Sequence, residues 1–288
     1  MSLQVLATGL LATVQDRGRA GWAHLGVSPS GAADRASLAL ANRLVGNRAG
    51  AAGLEVTLGG LRIRADQRHL VCVAGGAGPV LIDGAPTATG ATLRLDPGAV
   101  LEIGRPERGL RSYLAVRGGI DVRAVLGSRS YDVLAALGPP PLRPGDNLAV
   151  GQDVTGLPSI DLVPPHPPPS GPIRLAVHQG PRWDWFADPA RLIGSPWRVS
   201  ADLDRVGVRL AGPSLARAVG KELPSEGIVR GAVQVPPSGQ PLIFLADHPV
   251  TGGYPVIAVV ADRDTDAVAQ LLPGQTIQFR CAGVTPAP

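Results

Sequence analysis

Aromatic residues are scarce in this chain. Four tryptophans, three tyrosines and three phenylalanines make up 3% of its 288 residues. A protein that stacks nucleic-acid bases needs rings gathered on one face, and no such platform is visible. Lysine is almost missing: Lys221 stands alone, so the net charge of +4 is carried nearly all by arginine. Those arginines alternate with apolar residues in LRIRAD and RVGVRL, the pattern of a strand with one solvated face. A phosphate-backbone reader wants a clustered basic stripe, so nucleic acid is not expected as a partner.

Cysteine is limited to Cys72 and Cys281, far apart and in apolar, strand-like settings. Their spacing is not that of metal ligands. Both are expected as buried reduced thiols, and no metal site is expected. Long hydrophobic runs are also missing. Nothing approaches 18 uncharged apolar residues, so no membrane span is expected. The opening MSLQVLATGLLATVQDRG lacks a basic n-region and a convincing cleavage site, and reads as strands, not a signal peptide. A cytoplasmic protein is the expectation.

Glycine and proline are plentiful, at 38 and 29. Spread along the chain, they favour turns and short strands over long helices. The length suits two domains more than one. The clearest boundary is DLVPPHPPPSGP, Asp161 to Pro172, in which half the residues are proline. That composition predicts a stiff extended connector. The expected division is therefore 1–160, a linker at 161–172, and 173–288.

The expected fold class is mainly β with a few helices, in two β-rich domains. LRSYLAV and HLVCVAG read as strands. LDPGAVLEI, LRPGDNLAV and LLPGQTIQF each place Pro-Gly before alternating apolar residues. Proline presets the first turn dihedral and glycine accepts the positive φ of the second. Their recurrence in both halves points to barrel-like sheets in both. One helix is expected in PSGAADRASLALANRLVGN, with Leu38, Ala41, Leu44 and Val45 on one face, Ser30 as a cap and Gly46-Asn47 as the stop. DWFADPARLI and DTDAVAQLL are shorter helix candidates, the second with acids at its start.

One connection stands out. Between the apolar runs LIFLA and VIAVV lie nine residues, DHPVTGGYP, Asp247 to Pro255. A hairpin needs only a short turn. This segment is expected to be a polar, ligand-facing loop between two strands. Gln15, Arg17, Arg129, Arg205, Glu226, Gln234 and His248 also fall at strand ends beside glycines, where rigid scaffolds commonly present binding groups. Ser28, Ser30, Ser128 and Ser130 lack a nucleophile-elbow pattern. Neither Walker spacing nor a kinase-type glycine loop occurs, so this chain alone offers no ordinary nucleotide site.

These segments carry a resemblance. TVQDRGR, GVSPSGAAD, ANRLVGN, LEVTL, YLAVRGGID, LGSRS, SEGIVRGAVQVPPSGQP and DHPVTGGYP occur together and in order, from about Gln4 to Phe279. In this the chain resembles the C subunit of 5-oxoprolinase, also called allophanate hydrolase subunit 2, of the biotin-dependent carboxyltransferase family. There are departures. Many relatives have Arg-Gln-Thr where this chain has His248-Pro249-Val250. They have Gly-Pro-Gln where it has Gly180-Pro181-Arg182, and Ser-Asp-Arg-Met-Gly where it has Leu203-Asp204-Arg205-Val206-Gly207.

The resemblance implies a cyclophilin-like β-barrel for the C-terminal domain. It implies a heteromeric, ATP-dependent 5-oxoprolinase that opens a lactam to give glutamate, with this chain inactive alone. The implied partners are a B-type subunit (allophanate hydrolase subunit 1) and a third, lactam-hydrolase subunit. ATP is the implied cofactor of the complex. Two alternatives accompany this reading. One is a carboxyltransferase subunit moving a carboxyl group from carboxybiotin to a urea-like amide. The other is a regulatory protein that antagonises a kinase inhibitor. The sole methionine is Met1, so no biotin-attachment Met-Lys motif is present and biotin would need a separate carrier.

Both chemistries handle a flat amide or ureido group and an anion. Arginine forks suit carboxylate or phosphate, which selects Arg129, with Ser130 beside it, and Arg205 for binding. Thr251, Gly252, Gly253 and Tyr254 are the other expected binding residues, since adjacent glycines allow close backbone approach to a ligand. Asp247, Glu226 and Gln234 are the catalytic candidates. Asp247 is preferred to His248, which reads as a surface turn residue, because consecutive strand residues face opposite ways.

Overall fold

A computed structural model of the chain describes residues 1–158, 160–164, 168–169 and 171–282. The protein is mostly β, with three α-helices among the described residues. It divides into two compact units. The first holds Met1–Gly21 and Pro29–Pro168, the second Trp22–Ser28 and Pro169–Pro288. The early segment Trp22–Ser28 thus groups with the C-terminal residues, which the expected unbroken 1–160 domain did not include. Within that unit the Ser28 hydroxyl donates to the Ala246 carbonyl at 3.2 Å.

The start of the expected stiff connector is tied down by backbone hydrogen bonds. The Thr92 N–H donates to the Asp161 carbonyl at 2.8 Å and the Val163 N–H to the Gly90 carbonyl at 2.9 Å. Its first residues are therefore laid against the first unit by backbone pairing, which an apolar Leu-Val step within DLVP permits. Pro165, His166, Pro167 and Ser170 of the expected connector lie outside the described residues.

The first unit is a stack of two sheets, not a barrel. One runs in the order Asn147–Ala149, Ser2–Thr8, Leu61–Ala65, Val100–Ile103, Val80–Ile82 and Ala85–Thr87. The other runs Leu11–Gln15, Gly53–Thr57, Arg108–Val116, His69–Ala77 and Leu93–Leu95. Leu3, Val5, Leu61 and Ile63 of the first sheet join Val14, Leu54, Val56 and Val73 of the second in one buried core. The Leu61–Ala65 strand buries alternate residues and exposes Arg62 and Arg64, as period-2 patterning requires. Arg108–Val116 is buried from its second residue onward, because a helix covers the sheet's other face.

That helix, α1, spans Arg35–Leu44, and its Ala41 and Leu44, with Val45, pack against Cys72, Ala74 and Ala115. Its cap is Asp34, not Ser30. The Asp34 carboxylate accepts from the Ser37 N–H at 2.9 Å and the Ser37 hydroxyl at 2.6 Å. The residues before it cannot turn helical, because their N–H groups are taken. Ala32 donates to the Asp16 carbonyl, Ala33 to the Glu55 carboxylate at 2.9 Å and Asp34 to the Tyr113 hydroxyl at 2.8 Å. The Tyr113 hydroxyl donates in turn to Glu55 at 2.8 Å. Burial beside the Glu55 charge pushes the Tyr113 phenol well above its ordinary range.

The second unit is built on a closed barrel of seven strands: Ile173–Gln179, Val256–Val260, Ala232–Gln234, Leu242–Phe244, Gly207–Ala211, Pro196–Leu203 and Thr276–Cys281, which returns to the first. That closing pair is parallel and the other pairings are antiparallel. Trp197, Leu175, Val233, Ile243, Ile257 and Phe279 are buried. All three Pro-Gly turns have the expected left-handed glycine, with φ of 85° at Gly98, 97° at Gly145 and 84° at Gly274. Two short helices complete this unit: α2, Arg191–Gly194, and α3, Asp262–Val268. DWFADPARLI splits into a 3₁₀ turn at Trp183–Trp185 and α2, since Pro189 disfavours a helical residue before it.

Two expectations about side chains fail. Cys281 is exposed, while Cys72 is buried; Cys281 ends the last strand, where the burial pattern runs out. His248 is buried at 4% exposure, its ring edge-on to Phe244 at 6.5 Å. Among the described residues no helix is long and apolar enough to cross a membrane.

Candidate functional site

The barrel topology explains the length of the 247–255 connection. The Leu242–Phe244 and Val256–Val260 strands are not neighbours; both flank Ala232–Gln234. The chain must cross the end of that middle strand, so a tight hairpin turn is impossible. On the way, Thr251 and Gly252 form a two-residue ladder with Gly227 and Glu226. Glu226 is thereby fixed opposite Gly252.

Gln234 ends the middle strand. It is 4% exposed, and its amide nitrogen donates to the Tyr254 carbonyl at 3.0 Å. Its Oε1 accepts no hydrogen bond among the described residues. A Cβ on Gly252 would sit 2.8 Å from the Gln234 amide nitrogen, so any larger residue there must push that amide aside. Gly252 does not need a left-handed φ, and Gly253 does not either. The backbone N–H of Gly253 has no acceptor among the described residues. Glu226, Gln234, Gly252 and Tyr254, expected as site residues, are thus brought together. Thr251 and Gly253 adjoin them on the exposed rim.

Two arginines that the sequence reading left out of the site complete the cluster. Arg182 forks onto both carboxylate oxygens of Glu226, with Nε at 3.2 Å from one and Nη2 on the other. Its guanidinium also lies over the Trp185 ring, 5.0 Å from the centroid. The Arg182 N–H donates to the Val256 carbonyl at 3.2 Å, which seats the segment on a barrel strand. The hydrogen bond from Arg182 holds the Glu226 carboxyl below its ordinary value of 4.5, and the same bond raises Arg182. Arg217 lies 5.9 Å from the Tyr254 ring centroid and donates to the Val235 carbonyl at 3.3 Å. The Ala218 N–H donates to the Trp185 carbonyl at 2.8 Å, linking the stretches that carry the two arginines. The only sequence signal for Arg182 was its place in Gly180-Pro181-Arg182, just after a strand; Arg217 had none.

Arg205 and Asp247, each just beyond the end of a barrel strand, pair with each other. Arg205 Nε and Nη2 meet the two Asp247 oxygens at 2.8 and 2.9 Å, and both side chains are at most 1% exposed. The Asp247 N–H also donates to the Arg205 carbonyl at 3.0 Å. This geometry seals both groups from solvent, so neither presents an open fork or a free base.

Arg129 and Ser130 belong to the first unit. Arg129 spends its guanidinium on the Val122 carbonyl at 2.9 Å and Asp121 at 3.0 Å. Ser130 is fully buried, and its hydroxyl donates to Asp16 at 2.6 Å. Asp16 organises this loop: it also accepts from the Ser128 hydroxyl and from the Gly18 and Arg129 N–H groups. Its role was hidden because a lone aspartate in TVQDRGR carries no spacing signal. Gln15 is buried, donating to Thr13 and the Tyr131 carbonyl.

A separate hollow of about 340 Å³ lies by the turn at Asp204, with Asp202, Leu203, Arg209 and Leu242 on its walls. The Glu226 cluster does not line it. No group of three or more His, Cys, Asp or Glu among the described residues could hold a metal ion.

Comparison with known proteins agrees on one lineage. Residues 25–281 match the carboxyltransferase domain, subdomain A and B. The chain is 38% identical to the C subunit of 5-oxoprolinase from Escherichia coli over 96% of its own length and 90% of that protein. It is 33% identical to the subunit of the same name from Haemophilus influenzae, over 98% and 92%. It is 33% identical to the urea amidolyase of Saccharomyces cerevisiae, but spans only 16% of it. The solved structure of the Kluyveromyces lactis urea amidolyase superposes with a TM-score of 0.90 at 32% identity, covering 98% of this chain and 19% of that one.

Proposed function

The chain belongs to the carboxyltransferase domain family, subdomain A and B, and from that premise we propose that it is the C-type subunit of a heteromeric 5-oxoprolinase. The observation that carries this reading is the near full-length match, in both directions, to two 5-oxoprolinase C subunits. The reaction is hydrolysis of a lactam C–N bond in an ATP-consuming complex. A B-type subunit and a lactam-hydrolase subunit complete it, and this chain is inactive without them.

The site in this reading is the Arg182–Glu226–Gln234–Tyr254 cluster. 5-Oxoproline presents a ring N–H, a carbonyl and a carboxylate. The open Oε1 of Gln234 accepts the ring N–H. The free N–H of Gly253 donates toward the carbonyl oxygen as charge develops on it, the oxyanion-hole principle. Glu226 handles the proton of the nitrogen. Arg205 and Asp247 hold the barrel end in shape, and Arg129 and Ser130 hold their own loop. ATP fits this cluster poorly. Arg182 faces the Glu226 carboxylate and Arg217 the Tyr254 ring; one guanidinium fork beside a fixed acid suits one small anion but not a triphosphate. ATP is assigned to the complex, and no step here passes through it.

The likeness to urea amidolyase favours a second reading, carboxyl transfer from carboxybiotin to an amide nitrogen. The two readings separate in one assay. The chain is co-purified with its neighbouring subunits, and glutamate release from 5-oxoproline is followed with and without ATP. ATP-dependent glutamate supports the first reading. A complete, folded complex that releases none discards it, and carboxylation of urea with a biotin carrier supports the second.

A further inference from the structure

Arg182 is placed to do more than neutralise Glu226. Its guanidinium carbon lies over the Trp185 ring, 5.0 Å from the centroid, a contact that does not depend on Glu226. Both partners sit at the surface of the cluster, 31% and 29% exposed. Solvent-screened ion pairs of this kind contribute little to stability, so a second carboxylate can compete for the fork at little cost. Glu226 cannot travel far, because its backbone is laddered to Gly252, itself in contact with the Gln234 amide.

Taking the 5-oxoprolinase reading as its basis, we propose that Arg182 is the receptor for the substrate carboxylate and that it works by exchange: the incoming carboxylate takes the guanidinium fork from Glu226 and thereby releases Glu226 beside the lactam. Specificity and chemistry are then coupled through one side chain. While paired with Arg182, Glu226 is a weak proton carrier, since the guanidinium stabilises its charged form. Once the fork holds another anion, Glu226 loses that donor and gains a negative neighbour. Both changes raise its affinity for a proton. Asp184 adds a further negative charge near Arg182. A lactam without a carboxylate would leave the pair closed. The exchange itself swaps one carboxylate for another on the guanidinium and breaks no covalent bond; the released Glu226 carboxylate then takes one proton from solvent hydronium, leaving water.

The test compares two probes on the assembled complex: 5-oxoproline, and 2-pyrrolidinone, the same ring without its carboxylate. Binding is read by calorimetry for wild type, Arg182→Gln and Arg182→Lys, alongside KM and kcat. The expected result is a tenfold or greater loss of 5-oxoproline affinity in Arg182→Gln, with 2-pyrrolidinone unchanged. Arg182→Lys should restore part of the affinity. In the wild type, 5-oxoproline but not 2-pyrrolidinone should move the Glu226 carboxyl titration upward by carbon NMR. If Arg182→Gln weakens both probes equally, or neither, the receptor role is overturned. A wild-type complex that binds 5-oxoproline through Arg182 but releases no glutamate refutes the 5-oxoprolinase reading alone. A wild-type complex that binds neither probe overturns both.

Discussion

Truncating Asp247 to alanine should destabilise the second unit before it touches chemistry. The carboxylate makes two charge-assisted hydrogen bonds to Arg205, at 2.8 and 2.9 Å, and both side chains are essentially buried. Removing one member of such a pair leaves a buried charge without its counter-ion, which costs about 3–5 kcal/mol. For a chain of this size that lowers Tm by on the order of 10 °C. The assay is convenient because Trp22, Trp183, Trp185 and Trp197 all belong to the second unit. Tryptophan fluorescence during urea titration therefore reports that unit selectively. A control separates charge from packing: the double variant Arg205→Met, Asp247→Leu should recover much of the loss, since apolar replacement of a buried pair is often neutral. An Asp247→Ala protein as stable as wild type, yet inactive in the complex, would refute the structural role and return Asp247 to the catalytic candidates.

Three other outcomes follow from the same geometry. Gly252→Val should abolish activity of the assembled complex with the fold retained, because its side chain displaces the Gln234 amide; Gly253→Ala, whose Cβ meets nothing closer than the Leu223 carbonyl at 3.5 Å, should leave the fold intact, and circular dichroism with glutamate release checks both. Native protein should react with one equivalent of a thiol reagent at pH 8, at exposed Cys281; Cys72, buried and with its thiol pushed up to about 12 by desolvation, should react only after denaturation. Asp34→Ala should cost about 1 kcal/mol, the usual value of a helix N-cap, measured by urea unfolding.

Local patterns were readable wherever one residue's neighbours in the chain decide its conformation. The three Pro-Gly turns, the α1 stripe and the alternation in LRIRA each carry their own periodicity, and each is present. The capping residue of α1 was not readable, because Ser30 and Asp34 are both good caps. What chose between them was Glu55 and Tyr113, which arrive from other strands and take the N–H groups of Ala33 and Asp34. Barrel against stacked sheets was equally hidden: the same turn-and-strand phrase, LDPGAVLEI or LLPGQTIQF, serves an open sheet in one unit and a closed barrel in the other.

The site divides along the same line. Residue types and their order were enough to name the lineage and to bring Glu226, Gln234 and the 251–254 segment forward, since strand-end connections are where rigid scaffolds commonly present binding groups. Pairing was beyond reach. Arg205 and Asp247 are 42 residues apart and look like a fork and a base until the fold buries them against each other. Arg182 and Glu226 are 44 apart and look unrelated until two ladders bring them together. A charge's work depends on which opposite charge it meets and whether water reaches them. Both are properties of folded space, not of position along the chain.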